Sequence, residues 1–486
     1  MMMYMVHNSE MKPILHIAAV LMLILASGCS LEPRTTPAER QLVEWAGRPY
    51  DQPFEKRVLP ELADRPDWTD VLHRAFLANG QLEAAYFEWK AAMTRVAPAA
   101  VWPNSNLQVG FQYAFGKGAM KGWNATTLTA GFDPAVMLTF PVKAEQSGKV
   151  ALDAARAAGK RFQAAKFSLQ QKVLTTWLDY VLTAEKVRIQ TENTSLLKTV
   201  ADIAARRVQA GGPQQDLLKA QTEYDLARNE LGNLVSQQTA LRAMLNGLLA
   251  RPPDAALAPP DRLPPPRPLI SDDARLIAEG TANNPELGEL AHEVAGRDNA
   301  LELARLAYLP DFSPQFGIEG NVKQVAGMMI GLPTNLIKIR GAIDEAASNL
   351  RQTQALLRQG QADRGAQVVA TLVALRNNER QVDLLETAVV PKARQLWEAS
   401  GKAYSAGNIS FADLIDSQRT LLQVRLLIAE ARTAREKRLA ELEALAGVDV
   451  ETLASPTTQP TTQPAAQPAT QPATQPAARQ EPISGK

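Results

Sequence analysis

The sequence predicts a mainly helical protein with a small β part, built twice from one plan. Three observations carry this. Two helical patterns run for about 65–70 residues each, from Lys143 to Ala210 and from about Ile339 to Ala406. Before each, the apolar period changes from 3.6 to 2. After each comes a turn of similar wording: "RRVQAGGPQQDLLKAQTEYDL" at Arg206–Leu226 and "YSAGNISFADLIDSQRTLL" at Tyr404–Leu422.

The chain has 486 residues, with 52 basic and 51 acidic side chains, a balance that excludes a nucleic-acid footprint. Four His, two of them in the extreme N-terminus, and one Cys make a His/Cys metal cluster or a Cys/His pair hard to build, and an internal disulfide impossible. No Ser/His/Asp grouping or phosphate loop is present, so an enzyme is the weakest reading and no cofactor is expected.

In order along the chain, residues 1–28 read as a signal peptide. One Lys precedes an apolar run from Ile14 to Ala26, too short to span a bilayer, and Ser27-Gly28 lead to Cys29. Small residues before a Cys resemble a bacterial lipobox, with Ala26 where a larger aliphatic is usual. That resemblance implies lipidation at Cys29 and a lipid-anchored extension over 29–69; the alternative is an incidental Cys. Ser30 after it resembles lipoproteins sorted to the outer membrane.

The first repeat is assigned to 70–250 and the second to 269–450. Each opens with helices broken at Asn79-Gly80 and Asn284-Pro285. Each then alternates. Leu107, Val109, Phe111, Tyr113 and Phe115 face one way and Gln108, Gly110 and Gln112 the other; Leu128 to Phe140 continue the pattern. In the second repeat Phe312, Phe316 and Ile318, then Ala326, Met328, Ile330 and Leu332, do the same. Hairpins are therefore expected over 106–140 and 312–332, closed by Pro141 and Pro333, the second one short for a membrane span. A helix of the following length reaches on the order of 100 Å, beyond any compact core, and needs partner helices. Pro391 should kink the second long helix. The return helices are about half as long and are expected to end near a Gly, at Gly247 and Gly447. The helix before each hairpin would stack end to end on its return helix. A Pro-rich connector, 251–268, divides the repeats, and the Gln/Pro-rich 451–486 reads as a disordered tail.

The repeat, the Asn-Pro-Glu-Leu start, the Pro-closed hairpins and the paired Gly-turn-Asp motifs together resemble the outer-membrane efflux factors typified by TolC, over about Asp70 to Val450. The resemblance implies a homotrimer, with six hairpins closing a 12-stranded barrel in the outer membrane above a long α-helical barrel in the periplasm. It implies a passive exit duct of a tripartite efflux or type I secretion system, working with a periplasmic adaptor and an inner-membrane pump. The two turns become periplasmic tips. Ala210, Gly211, Gly212, Gly407, Asn408 and Ile409 would dock the adaptor. Asp413 and Asp416 match the aspartates that ring the closed mouth, and Tyr404 and Asp216 match a Tyr and an Asp that tie neighbouring hairpins shut. Two departures stand out: Ile409 replaces the family's Arg, and the first tip is one residue shorter before Asp216.

Plainer readings stand beside these. Ser410-Phe411-Ala412-Asp413 has the form of a capping box, and Asp216 suits a helix start. Trp177 and Trp397 read as helix packing, and His73 and His292 as helix surface. The rival for the whole chain is a lipid-anchored periplasmic coiled-coil scaffold or adaptor without a pore.

Overall fold

A computed structural model gives the protein's structure and describes residues 29–115, 122–133, 136–268, 272–320, 323–406 and 408–448. The expected leader, the Gln/Pro-rich tail and Gly407 lie outside the described residues, and Cys29 is described by its backbone alone. The described residues open with β1 (Cys29–Ser30), followed by α1 (Thr36–Gly47), α2 (Trp68–Ala78), α3 (Gly80–Thr94) and α4 (Val96–Ala99). Then come β2 (Val101–Trp102), which pairs with β1, and β3 (Leu107–Tyr113), β4 (Thr126–Phe132), α5 (Pro141–Gln209) and α6 (Gln214–Leu248). The second repeat has α7 (Asp273–Ala282), α8 (Pro285–Arg305), β5 (Asp311–Glu319), β6 (Lys323–Gly331), α9 (Leu336–Leu384), α10 (Val390–Ser405) and α11 (Phe411–Ala446).

Helix α5 is unbroken for 69 residues, roughly 100 Å. Pro141 is its first residue, where the missing N–H has no intrahelical partner to lose. The second long helix is interrupted as Pro391 requires. Pro391 cannot donate to the carbonyl one turn back, and a π-helical turn, Leu385–Val389, lies just before it, between α9 and α10.

The four main strands form one antiparallel sheet in the order β3-β4-β5-β6. Its second strand is shorter than the expected run to Phe140. β4 ends at Phe132, and the chain rejoins β5 only where Leu138 pairs with Phe312. Pro314 stands where the β4–β5 ladder stops; it has no N–H to lend, and Ser313 Oγ donates to the Phe132 carbonyl instead (2.8 Å). Single backbone bonds at Ala114–Ala125 and Asp133–Asn106 extend the β3–β4 ladder at both ends. Strands β5 and β6 are nine residues each, at the lower limit for a tilted membrane strand.

End-to-end stacking rests on one device used twice. Asn79 Oδ1 accepts from Gln81 and Leu82 N–H at the start of α3, while its Nδ2 reaches the Leu248 carbonyl at the end of α6 (3.4 Å). Asn284 Oδ1 accepts from Leu287 N–H (2.9 Å), and its Nδ2 donates to the Leu445 carbonyl at the end of α11 (2.7 Å). Each Asn caps one helix start and one helix end at once. Gly447 ends α11 at φ +65°, as expected; a Cβ there would meet Pro285 at 2.7 Å. Helix α6 ends beside Gly247, as expected, but the glycine is not its cap. Helix α6 runs on to Leu248, and Ala250 takes the left-handed position, with Arg251 N–H bonded to the Asn246 carbonyl (2.9 Å). The buried Asn246 amide holds this cap by donating to the Pro253 and Ala255 carbonyls.

Two matching cores lie at this waist. Val71, Val173, Trp177, Val181 and Leu245 join α2, α5 and α6, and Leu276, Val368, Leu375, Leu439 and Leu442 join α7, α9 and α11. The connector is tied across them. Tyr180 Oη donates to the Leu257 carbonyl, and Arg267 bridges Glu436 (3.1 Å) and Glu443 (2.9 Å) while lying over Trp68.

The helices make a single layer. In the half nearer the sheet, α5 packs against α3 and α8, and α8 against α9; in the tip half, α5 packs against α6 and α11, and α11 against α9 and α10.

Candidate functional site

The two tips are built alike. At the first, Gly212 N–H bonds the Arg207 carbonyl (2.8 Å) and Gly211 N–H bonds that of Val208 (3.0 Å), with Gly211 at φ +85°. This pair of bonds is a Schellman cap, and the conformation at Gly211 is one that a side chain resists. At the second, Asn408 N–H reaches the Ala403 carbonyl (2.9 Å), the equivalent six-residue bond. Four residues join α5 to α6 and five join α10 to α11, so the first tip is shorter, and Asp216 and Asp413 occupy the same third helical position. Ala210, Gly211 and Asn408 are exposed, and Gly212 and Ile409 are half-buried.

Ser410 and Asp413 form a complete capping box. Asp413 N–H donates to Ser410 Oγ (3.2 Å), and Ser410 N–H donates to Asp413 Oδ2 (3.1 Å). Asp413 and Asp416 are both exposed and share a face, opposite the buried Leu414 and Ile415. The capping reading of Asp413 is therefore correct as local structure, and it leaves the second carboxylate oxygen open to solution. At the first tip Pro213 takes the cap position and has no side-chain oxygen, so Asp216 stands in the first turn without a box.

Within the chain, Tyr404 and Asp216 are not joined. The Tyr404 hydroxyl is buried without a hydrogen-bond partner. Its ring instead meets Phe411 edge-on (5.9 Å) and lies under the Arg207 guanidinium (4.7 Å). Around it, Phe411 and Ile415 pack on Leu197, Val200, Ala204 and Ala220 of the first helical hairpin. Gln418 bonds Asn193 in this buried seam, Arg419 pairs with Glu223, and Arg425 with Glu192 (2.6 Å). These cross-hairpin pairs leave no local pattern, because their partners lie about 200 residues apart. Trp177 is buried in the waist core, Trp397 is half-buried on α10, and His73 is an exposed helix residue. His292 is half-buried; burial lowers its pKa from the ordinary value, with the nearby Arg156 acting the same way.

At the far end, the register sorts the sheet into two faces. Val109, Phe111, Leu128, Ala130, Phe312, Phe316, Met328 and Ile330 share one; Gln108, Gly110, Thr127, Thr129, Gly131, Ser313, Gln315 and Gly317 share the other. Val109, Phe111, Met328 and Ile330 are exposed on the apolar face. Among the described residues β3 and β6 have one strand neighbour each, leaving an open edge on either side. The helix layer is open on both sides too. Leu218, Leu226, Val235 and Met244 are exposed on α6, and Val369, Val373, Leu384 and Leu396 on α9 and α10.

No protein-family profile matches the chain. A curated relative, the cobalt-zinc-cadmium resistance protein CzcC of Cupriavidus metallidurans, is 25% identical over 270 residues. The match takes in 53% of this chain and 62% of the relative, less than two thirds of its length. Among solved structures, the outer membrane protein VceC of Vibrio cholerae superposes with a TM-score of 0.65 at 14% identity, over 79% of this chain and 96% of that one. CusC, described for folding and transmembrane channel formation, gives 0.66 at 16%, over 82% and 97%. The MtrE outer membrane channel of Neisseria gonorrhoeae, solved in its open state, gives 0.64 at 14%, over 81% and 94%. The chain has the fold of TolC-like outer-membrane channels.

Proposed function

We propose that three copies of this chain close into an outer-membrane exit duct, whose helical barrel crosses the periplasm to a gated mouth at the tips. The observation that carries this is the pair of open edges on both the sheet and the helix layer. An unpaired strand edge is not tolerated in lipid, and an apolar face on each flank of the layer invites the next copy. A contact between unlike edges is head-to-tail, and it leaves no strand edge in lipid only when it closes into a ring. Four strands per copy make twelve in a trimer, with the apolar face toward lipid and the Gly, Thr, Gln and Ser face toward the lumen.

Cys29 supports the same placement. Its backbone pairs with Trp102, at the foot of the sheet and close to the Phe140–Phe312 ring pair. Acyl chains on Cys29 would enter the inner leaflet there, beside Trp102 and that ring pair.

At the other end Asp413 and Asp416 give each copy two exposed carboxylates, and a ring of them favours cations over anions. That ring, together with the relative named for cobalt, zinc and cadmium resistance, points to metal cations as cargo. Energy would come from an inner-membrane pump, through an adaptor seated on the exposed tip turns at Ala210–Gly212 and Asn408–Ile409. The pore-free scaffold accounts for the long helices but leaves the edges of β3 and β6 uncovered.

Light scattering of detergent-solubilised protein tests the assembly. Three chains per particle, recovered from the outer-membrane fraction, are expected; a monomer or a soluble dimer would refute the ring.

A further inference from the structure

We propose that the tip of this duct is held shut by Arg207 stacked on Tyr404, a cation–π latch between the two helical hairpins of one copy. The inference rests on the exit-duct reading for its purpose and on the tip geometry for its substance. Arg207 lies in the last turn of α5, and its own carbonyl receives the Gly212 N–H that forms the first tip turn. Its guanidinium is therefore delivered by the cap that ends the helix. Tyr404 lies in the last turn of α10, immediately before the second tip turn. The guanidinium stands 4.7 Å from the ring centroid, so the contact joins the two tips at the point where they diverge.

Two further features single out this contact. The Tyr404 hydroxyl is buried and makes no hydrogen bond, so the ring, and not the oxygen, holds this side chain in place. Phe411 closes on the same ring edge-on and is itself 3% exposed, fixed by the core it shares with Leu197, Val200 and Ala204. Tyr404 is thus pinned between a cation on the first hairpin and an apolar residue on the second. The second tip has Ile409 and no Arg of its own, and the positive charge at this seam comes from the opposite hairpin. Asp413 and Asp416 take no part in the latch and stay free to act on passing cations.

A hydroxyl-based link and a ring-based latch differ in one variant. Tyr404→Phe removes the oxygen and keeps the ring; a latch made by the ring holds, and a link made by the hydroxyl opens. Arg207→Ala removes the cation. Each contact of this kind shifts the local equilibrium roughly two- to fivefold, and three acting together in a ring shift it roughly ten- to hundredfold. The experiment uses the full-length assembled protein, with two readouts. One is the rate of trypsin cleavage after Lys402, which lies one turn from the tip and is unchanged by the substitutions. The other is the open fraction of single channels in planar bilayers.

Arg207→Ala is expected to speed cleavage at Lys402 two- to fivefold or more and to raise the open fraction at least tenfold. Arg207→Lys should fall between it and the wild type, and Tyr404→Phe should match the wild type in both readouts. Arg207→Ala that behaves as wild type in both overturns the latch and leaves the duct standing. Tyr404→Phe that opens as fully as Arg207→Ala overturns it in favour of a hydroxyl link. Faster cleavage in Arg207→Ala, with no discrete channels from any variant, upholds the contact between the tips and removes the duct.

Discussion

Replacing Asn284 by Ala should loosen the second repeat at its waist by a calculable amount. The side chain does two jobs at one point: its oxygen accepts the Leu287 N–H, and its amide donates to the Leu445 carbonyl at 2.7 Å. Losing an N-cap costs about 1 kcal/mol. Leaving a buried carbonyl without its donor costs about 1–3 kcal/mol more, and Asn284 is 4% exposed, so little water reaches the site. The sum is about 2–4 kcal/mol, which should speed hydrogen exchange some 30- to 1000-fold where local opening dominates. The amides to follow are those of the first turn of α8 and the last turn of α11. Asn284→Asp separates the two jobs, since it keeps the cap and loses the donor; α8 should stay protected and α11 should fray. Asn79→Ala should cost less, because its Nδ2 sits 3.4 Å from the Leu248 carbonyl. Unchanged exchange at both helix ends in Asn284→Ala would refute the end-to-end stacking account.

Three other outcomes are expected. Asp416→Asn should leave stability within about 0.5 kcal/mol, while Asp413→Ala should cost about 1 kcal/mol through loss of the capping box. Both should weaken cation preference in reversal-potential measurements, and an unchanged preference would leave Asp413 as a cap alone. Arg267→Met should cost about 3–5 kcal/mol, because Glu443, 1% exposed, would lose the cation that pairs with it. Faster proteolysis of the connector would report this, and a silent substitution would contradict the pinned connector. Burial pushes the Tyr50 phenol up to about 12, with Glu83 adding to the shift. The folded state therefore keeps a proton that the unfolded chain releases near pH 10, and stability should fall as pH rises from about 10 to about 12. Tyr50→Phe should flatten that fall in alkaline unfolding curves.

The elements were legible because period and punctuation are local. The change from 3.6 to 2, Pro141 at a helix start and Pro391 beside the π-helical turn can all be read within a few residues. The end of β4 was missed because it is set across the sheet, where Pro314 stands opposite Phe132 and stops the ladder, and nothing in the alternation up to Phe140 reports that. Gly247 marks the end of α6 to within one residue, but the cap itself was not legible, because the buried amide of Asn246 and the following loop build it around Ala250. At the tips the capping box was readable as a four-residue motif. The partner of Tyr404 was not, since Arg207 lies on the other hairpin and cation–π contacts leave no spacing in the sequence.

The most direct test of the account is the current through a single assembled particle of the purified wild-type protein in a planar bilayer. An exit duct of three chains gives discrete steps of one size that favour cations. A well-folded trimer that passes no current, or passes anions better than cations, would contradict it.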